Sequence, residues 1–407
     1  MKRVKFLHTA DLHLDSPMVG LRHLPKDIFH RLQESTFTAL KNITNTAIDL
    51  EVDFVVMAGD LFDGEDRSIR AQAVLRNEME KLADKGIKVY AIHGNHDHLG
   101  AKSVTLDFPD NVHFFSDQVE KVDFRKADGT LVHLYGFSYP ERHVMERWIE
   151  NYPKIDGADF HIGLLHGHFE GVSDHGKYAP FRLSDLIEKD YDYWALGHIH
   201  KRALLSHQPY VVYPGNPQGR NRKELGEKGV SIVHLTEAGT EVSFFGTADV
   251  IWDEIVIDGQ DLVSFNALYE KCLNEIDGKR REGKGVLLDI RIEGLNSSLS
   301  DLTGKIANGE LLELLQEAEK EEDSFVWVHR LKVTEDIAVD RAELIKQSDF
   351  YQELFTTIEE YDDLRDPLSP LFQHSQARRH IELMSEREKQ ELVEDAEKIL
   401  LQLLLKN

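Results

Sequence analysis

Two rhythms of apolar residues alternate through the first hundred positions. Continuous apolar runs over Val4 to Thr9, Phe54 to Ala58 and Lys88 to Ile92 read as buried strands. Between them, Ile28, Leu32, Phe37, Leu40, Ile43 and Ala47 recur at helical spacing within Pro25 to Leu50. Ala71, Val74, Leu75, Met79 and Leu82 do the same within Arg67 to Lys85, with Gly86 as the stop. Such an alternation of strand and helix buries its apolar faces when helices cover a sheet.

Farther along, Val112 to Phe137 carries short strand-like runs without helices, and Glu141 to Glu150 reads as a short helix. Buried strands resume at Ile162 to Leu165 and Tyr193 to Leu196, with Leu183 to Glu188 helical between them. Tyr210 to Tyr213, Val230 to Leu235 and Val242 to Phe245 read as successive antiparallel strands. The fold class expected is α/β (α+β), a two-layered β-sheet domain flanked by helices over residues 1–250. The next segment has its own rhythm: strand Ile251 to Ile257, helix Leu262 to Glu275, strand Val286 to Ile292, helix Glu310 to Glu319 and strand Phe325 to Val333. That predicts a small α/β domain over 251–336. Residues 337–407 read as an acidic helical tail, interrupted by Pro367 and Pro370 and closing on a helix from Ser385 to Lys406.

Length agrees with several domains, since 407 residues exceed what one core usually organises. The formal net charge of -25 disfavours holding nucleic acid by bulk positive charge, because phosphate binding needs Lys and Arg to displace counterions. The charge is uneven. Positions 1 to 250 hold 29 basic and 37 acidic residues, net -8, against 19 and 36, net -17, in the remainder. Eighteen of the 21 histidines precede residue 235, so the two parts have different work. Cys272 is the single cysteine, and Met1 to Ala10 carries charges where a signal peptide needs an apolar core. A reducing cytoplasm is therefore expected. No apolar run approaches membrane-spanning length.

Candidate chemistry lies where the apolar runs stop. Asp11-Leu12-His13, Gly59-Asp60, His93-Gly94-Asn95-His96-Asp97-His98, His166 and Gly197-His198-Ile199-His200 each follow a predicted strand at once or within two residues. Loops after strands on one sheet edge collect functional groups. Alternate residues of an extended chain point the same way, so Asp11 with His13 and His198 with His200 can each present two ligands. With Asp60, Asn95 and His166 the set exceeds what one ion takes, which points to two divalent ions sharing a carboxylate and acting on an in-line phosphoryl displacement. Two ions less the charges of Asp11 and Asp60 leave room for a hydroxide and a phosphodiester. The mixed imidazole and oxygen donors suit Mn, Fe or Zn better than Mg.

In this order the motifs resemble the calcineurin-like metallophosphoesterase superfamily. Within it, His-Thr-Ala-Asp-Leu-His-Leu-Asp (8–15), Ala-Gly-Asp-Leu-Phe-Asp (58–63) and Tyr-Pro-Gly-Asn-Pro-Gln (213–218) resemble the SbcD-type DNA-repair nucleases, and among these the bacterial YhaO group. The resemblance implies that Asp11, His13, Asp60 and His200 hold one ion and Asp60, Asn95, His166 and His198 the other, with Mn2+ as the metal. It implies that His96 is the catalytic histidine, acting on the leaving oxygen, and that Asp97 orients it. It also implies a small capping domain and a helical tail. One departure stands out: archaeal and eukaryotic nucleases of this kind carry a second histidine where this chain has Asp63, which bears on the exonuclease step.

The activity expected is metal-dependent phosphodiester hydrolysis of DNA, with a small-molecule phosphodiesterase or a phosphatase as the alternative on the same core. Arg220 and Arg222, after the Tyr213 to Gln218 motif, and Lys279, Arg280 and Arg281 in the most basic loop of the acidic half are the candidates for contacting DNA. The partners expected are DNA, a second copy of the chain as a homodimer, and an SMC-like coiled-coil ATPase. The docking element for that ATPase would be the last helix, whose leucines at 400, 401, 403, 404 and 405 spread wider than one core-facing stripe.

Overall fold

The computed structural model describes residues 2–64, 67–101, 104–170, 178–295, 306, 308–320, 322–334, 341–359, 361 and 386–405. β1 (Arg3–Thr9), α1 (Lys26–Asp49), β2 (Phe54–Ala58), α2 (Ile69–Asp84) and β3 (Lys88–Ile92) follow in the predicted order. The three strands are parallel, Leu7 lying opposite Val55 and Val55 opposite Val89. α2 starts at Ser68, whose side chain accepts from the Ala71 amide at 3.0 Å and satisfies one of the helix's free donors. β4 (Val112–Phe114) closes one edge, while β11 (Gly229–Thr236) and β12 (Gly239–Gly246) extend the other, giving the order β12-β11-β1-β2-β3-β4.

A second sheet contains β5 (Glu120–Arg125), β6 (Leu131–Gly136), β7 (Phe160–His166), β8 (Tyr193–Gly197), β9 (Ala203–His207) and β10 (Tyr210–Tyr213), in the order β5-β6-β7-β8-β10-β9. α3 (Leu183–Glu188) connects β7 to β8. Phe6, Phe54, Ile92, Leu134, Ile162 and Tyr193 form part of one buried cluster that joins the two sheets. On the other face of the first sheet, Leu40, Ile43, Leu75 and Met79 of α1 and α2 cover Leu7 and Val55. Each such side chain, fully buried, contributes about 1.5–3 kcal/mol. The layered α/β architecture expected from the sequence is the one observed.

Three details differ from expectation. Glu141 to Glu150 is not a helix; only Trp148–Asn151 form a 3-10 turn. The carbonyl of Val144 instead accepts from the Ala179 amide at 2.7 Å, a tertiary bond in place of a helical one. β9 was not foreseen, because its half-exposed edge residues alternate without a continuous apolar run. β10 pairs parallel with β8 and antiparallel with β9, in a different sheet from β11 and β12, so the strands after residue 200 are not one antiparallel run.

The chain divides into two compact units, the first Met1–Ile255, Leu273–Asp289 and Glu313–Arg330, the second Val256–Cys272, Ile290–Leu312 and Leu331–Asn407. A third sheet, β13-β14-β15, is built of Val250–Asp258, Gly285–Glu293 and Val326–Thr334, so the division falls within all three strands. α4 (Phe265–Gly278) and α5 (Glu310–Ala318) alternate with these strands. Within the first unit, Leu21, Leu24 and Leu32 pack with Trp252, Leu287 and Phe325, and Arg31 clamps the Asp249 carboxylate at 3.1 and 2.8 Å. Within the second, α6 (Arg341–Gln347), α7 (Asp349–Glu359) and α8 (Glu386–Leu405) gather Leu344, Phe355 and Leu401. Pro367 and Pro370 lie outside the described residues. No helix among the described residues is long and apolar enough to cross a membrane.

Candidate metal centre

The loops after β1 and β2 run side by side. Asp11 N donates to Gly59 O at 3.0 Å, His13 N to Asp60 O at 3.1 Å and Leu14 N to Leu61 O at 3.0 Å. This pairing fixes Asp11, His13 and Asp60 against one another with almost no exposure. Their backbone is not the extended chain that the Asp-x-His spacing predicted. Asp11, His13, Asp60 and His198 have φ of 54°, 43°, 50° and 100°, a left-handed conformation that non-glycine residues keep only when their surroundings enforce it. Two motif glycines are there for space: a Cβ at Gly94 would collide with Asp60 Oδ1, and one at Gly59 with the His166 ring.

Six of the seven expected ligands converge through direct contacts between their side chains. His166 Nε2 lies 3.4 Å from Asp60 Oδ2 and 3.1 Å from Asn95 Oδ1. His13 Nε2 lies 3.9 Å from Asp60 Oδ2 and 3.0 Å from His200 Nε2. The ligand atoms of Asp11, His13 and His200 fall within 4.8 Å of one another, as do those of Asp11, Asp60 and His166. His198, the seventh, donates its amide to the Asp11 carboxylate at 2.9 Å, and its ring centroid is 5.3 Å from that of His166. Its Nε2 is out of solvent with no hydrogen-bond partner, which a buried donor or acceptor rarely tolerates. A cation there would satisfy it. The donor set fits two divalent ions, Asp60 standing between the two groups of ligands.

Second partners set the tautomers. His166 Nδ1 faces the Ala58 carbonyl at 3.0 Å, so Nδ1 carries the proton and Nε2 is the ligand atom. His200 Nδ1 faces the Glu224 carboxylate at 2.8 Å, which frees its Nε2 in the same way. Burial would raise the Asp60 carboxyl, but His166, His96 and His13 outweigh it and hold Asp60 well below the usual range. Burial would lower His166, but Asp60, Asp11 and the Ala58 carbonyl raise it to about 9. Burial, with Arg220 next, pushes His13 well down, and burial with His166 does so to His198.

His96 is only partly buried. Its amide donates to Asp60 Oδ1 at 2.9 Å, and its Nδ1 lies 3.0 Å from the Asp63 carbonyl. Asp97 does not orient it. The Asp97 carboxylate accepts from Leu61 N at 2.9 Å and Gly94 N at 2.8 Å and pairs with His93 Nδ1 at 3.1 Å, so it braces the two ligand loops instead. Aspartate three residues after a glycine bonds local amides more readily than a neighbouring ring. A ring nitrogen of His96 also lies within 4.8 Å of ligand atoms of His13 and Asp60.

One functional side chain, Glu224, was missed from the sequence, and Asp63 stood out there only as a departure from related nucleases, without its partners. Glu224 orients His200 and is held by Asn216 Nδ2 at 2.8 Å and Arg220 N at 2.7 Å. Burial opposes its charge, yet His200 and Arg220 bring its carboxyl down to about 2. Asp63 pairs with Arg220 and lies 3.3 Å from His13 Nδ1. The signal for Glu224 was weak: an acidic residue six positions past the Tyr213 to Gln218 motif. Gln218 itself is buried, accepting from the Asp249 amide at 2.9 Å and donating to the Val250 carbonyl at 2.6 Å.

Of the basic candidates, Arg220 faces the centre through Asp63, Glu224 and His200. Lys279 binds Asp253 at 2.8 Å. Arg280 binds Asp277 at 3.2 Å, Glu319 at 3.1 Å and the Ser324 carbonyl at 2.7 Å. Arg281 meets the carbonyls of Gly278 and Arg280, and Arg222 is exposed.

A layered α/β domain whose strand ends bring together carboxylates, an asparagine and histidines around room for two cations defines a metal-dependent phosphoesterase. The family model described as calcineurin-like phosphoesterase matches residues 4–202. The chain is 41% identical over 397 residues to an uncharacterized metallophosphoesterase, YhaO, of Bacillus subtilis (strain 168), covering 97% of this chain and 96% of that one. The chain therefore belongs to the calcineurin-like metallophosphoesterase family. It is also 26% identical over 289 residues to the DNA double-strand break repair protein Mre11 of Methanocaldococcus jannaschii, covering 66% of this chain and 74% of that one.

Proposed function

We propose that this chain is a two-metal phosphodiester hydrolase that acts on DNA, the nuclease subunit of a repair assembly. The observation that carries the reading is the position of Asp60, within 3.9 Å of His13 Nε2 and 3.4 Å of His166 Nε2, where one carboxylate can serve both ions. Asp11, His13, Asp60, Asn95, His166, His198 and His200 would hold two divalent ions, which would supply a lowered pKa for water and charge withdrawal from phosphoryl oxygens. The mixed donor set favours Mn2+ over Mg2+. His96, with Nδ1 held by the Asp63 carbonyl, presents Nε2 to the leaving oxygen and delivers the proton it needs. Asp97 keeps the Gly94 and Leu61 loops in register so that Asn95 and Asp60 face each other.

Support for DNA as substrate comes from the likeness to Mre11, a protein named for double-strand break repair, and from exposed Arg222 beside the centre's Arg220 loop. Exonucleolytic and endonucleolytic cleavage both fall within the activity proposed, since Asp63 stands where archaeal and eukaryotic nucleases of this kind carry a second histidine. The net charge of -25 leaves the holding of DNA to an assembly partner, for which we propose an SMC-like ATPase docked on α8 in the cytoplasm. One experiment tests the substrate: labelled double- and single-stranded DNA incubated with the chain and Mn2+, beside cyclic nucleotides and phosphopeptides. Release of nucleotides from DNA is expected. Turnover of cyclic nucleotides or phosphopeptides with DNA left intact would replace this reading by the small-molecule or phosphatase alternative.

A further inference from the structure

The centre has a buried floor and a solvent-facing rim. Asp11, His13, Asp60, Asn95 and His166 are buried, whereas His96, His198, His200, Asp63 and Arg220 are partly exposed. The side chain of Asp63 is 23% exposed and that of Arg220 15%. A phosphate group entering from solvent therefore meets this ion pair together with His96. Arg220 has three polar neighbours: it pairs with Asp63, lies 3.8 Å from Glu224 and reaches within 3.4 Å of His200 Nδ1, while its Nε is out of solvent without a hydrogen-bond partner. Two carboxylates thus face one guanidinium, and this part of the site carries an excess negative charge.

That excess changes which phosphate the site accepts. Two divalent ions, diminished by the charges of Asp11 and Asp60, would leave two positive charges, enough for an attacking hydroxide and a monoanion. The rim removes one of these, so a hydroxide with a monoanion exceeds what is left by one negative charge and a hydroxide with a dianion by about two. A phosphodiester carries a single negative charge, whereas a phosphomonoester carries about -1.5 to -2 at neutral pH. The second charge of a monoester would therefore sit unbalanced beside the Asp63 carboxylate in a partly desolvated pocket, where like charges repel strongly.

We propose that Asp63, held at the rim by Arg220, is the residue that makes this centre discriminate against dianionic phosphomonoesters in favour of monoanionic diesters. The proposal rests on the two-metal phosphodiesterase reading above and names the residue that sets its substrate class. It is separable from the positioning of His96, because His96 is held by the main-chain oxygen of Asp63 and not by its carboxylate.

The test compares kcat/KM for bis(p-nitrophenyl) phosphate and p-nitrophenyl phosphate with the full chain in Mn2+, metal content being measured on each protein. Asp63→Asn should raise the monoester-to-diester ratio about tenfold, the size of one charge interaction across several ångströms of partly hydrated site. Arg220→Gln should move the ratio the opposite way, and Arg220→Lys should leave it near wild type. Opposite shifts from the two halves of one ion pair are what charge selection requires and what a merely structural pair would not produce. If the wild type hydrolyses the diester but neither substitution moves the ratio, or both move it in one direction, the proposal fails alone. If the wild type prefers the monoester, the phosphodiesterase reading fails and the proposal with it. Should Asp63→Asn not fold, the direction of the Arg220→Gln shift decides.

Discussion

His96 Nδ1 lies 3.0 Å from the main-chain oxygen of Asp63. A carbonyl can only accept, so Nδ1 carries the hydrogen and Nε2 is left for chemistry. Replacing His96 by Gln removes the imidazole, and turnover should fall by about a hundred- to ten-thousand-fold, the usual contribution of a positioned acid. Both ions should stay bound. Asn95→Ala should instead lose an ion, since Asn95 Oδ1 sits 3.1 Å from His166 Nε2. Metal analysis of the two purified proteins separates these roles. A His96→Gln protein short of metal would make His96 a ligand, as its nearness to His13 and Asp60 allows.

The strand ends were legible because each carried an apolar run that stopped in a glycine or a ligand side chain, as Ala58-Gly59-Asp60 does. Burial on both faces makes such a run continuous, so the sequence announces it. Edge strand β9, all of whose five residues are half-buried or exposed, has no such signature. The ligands were readable as types, but their convergence was not: Asp11 and His13 reach their positions through left-handed backbone, which no spacing rule encodes. Partners of the ligands were hardest to see. Glu224 meets His200, and Asp63 meets Arg220 from 157 positions away, and such pairings belong to the packed fold rather than to local pattern.

Metal uptake should release protons. In the metal-free chain, burial works against a charged His166, but Asp60 and Asp11 hold it as imidazolium up to about pH 9. A ligating imidazole must be neutral. The apparent affinity for Mn2+ should therefore rise with pH, by about tenfold per unit below pH 9 for each proton displaced. The folded pKa lies above the ordinary 6.5, so the stability His166 lends the metal-free chain is present below 6.5 and lost as pH rises through 9. Calorimetric titration in buffers of different ionisation enthalpy counts the protons released; an affinity flat from pH 6 to 8 would contradict the assignment.

Acid should destabilise the chain through His8, which is not a ligand. Burial, opposed by the Leu196 carbonyl, brings its pKa from 6.5 down to about 3. Nε2 donates to that carbonyl at 3.1 Å and Nδ1 accepts from Tyr193 Oη at 2.9 Å, an arrangement that only the neutral ring can make. A folded pKa below the unfolded one means that the unfolded chain binds the extra proton, so stability is complete above pH 6.5 and falls as pH drops toward 3. The loss is about 1.4 kcal/mol per unit, or about 3 kcal/mol by pH 4. His8→Gln should flatten the slope of denaturant stability against pH between 6.5 and 4, even if it lowers stability at pH 7.

The basic loop after α4 divides by partner. Arg280 is bound by Glu319, whose side chain is 5% exposed, and Lys279 by Asp253. Arg280→Ala should therefore lower stability by about 1–3 kcal/mol, because it takes the charged donor from a buried carboxylate that keeps the Val326 amide at 3.0 Å, and should alter DNA binding little. Arg281→Ala with Arg222→Ala should leave the melting temperature in place and weaken DNA binding equally across sequences, with a flatter salt dependence. Unchanged affinity and unchanged salt slope in the double variant would remove this loop from the DNA path.

The last helix has two apolar faces with different fates. Leu401 is buried with Leu344 and Phe355, and Arg341 bridges Glu359 at 3.0 Å and also pairs with Glu397, so one side of α8 belongs to the chain's own helical bundle. Leu392, Leu400 and Leu404 are 39%, 42% and 38% exposed, and their spacing in fours and eights places them along a single stripe. An exposed leucine stripe on an acidic helix is what a docking element leaves bare when its partner is absent. Changing Leu400 and Leu404 to Glu should leave the protein folded, with Mn2+-dependent hydrolysis of a small diester intact, and should abolish binding of the SMC-like ATPase proposed above as its partner. Leu401→Glu, which charges the buried side, should instead unfold α8. Removing everything after about residue 336 gives the stronger form of the test. A soluble remnant that hydrolyses diester but binds no ATPase is the outcome expected, whereas aggregation or lost hydrolysis would show that the helices complete the catalytic fold.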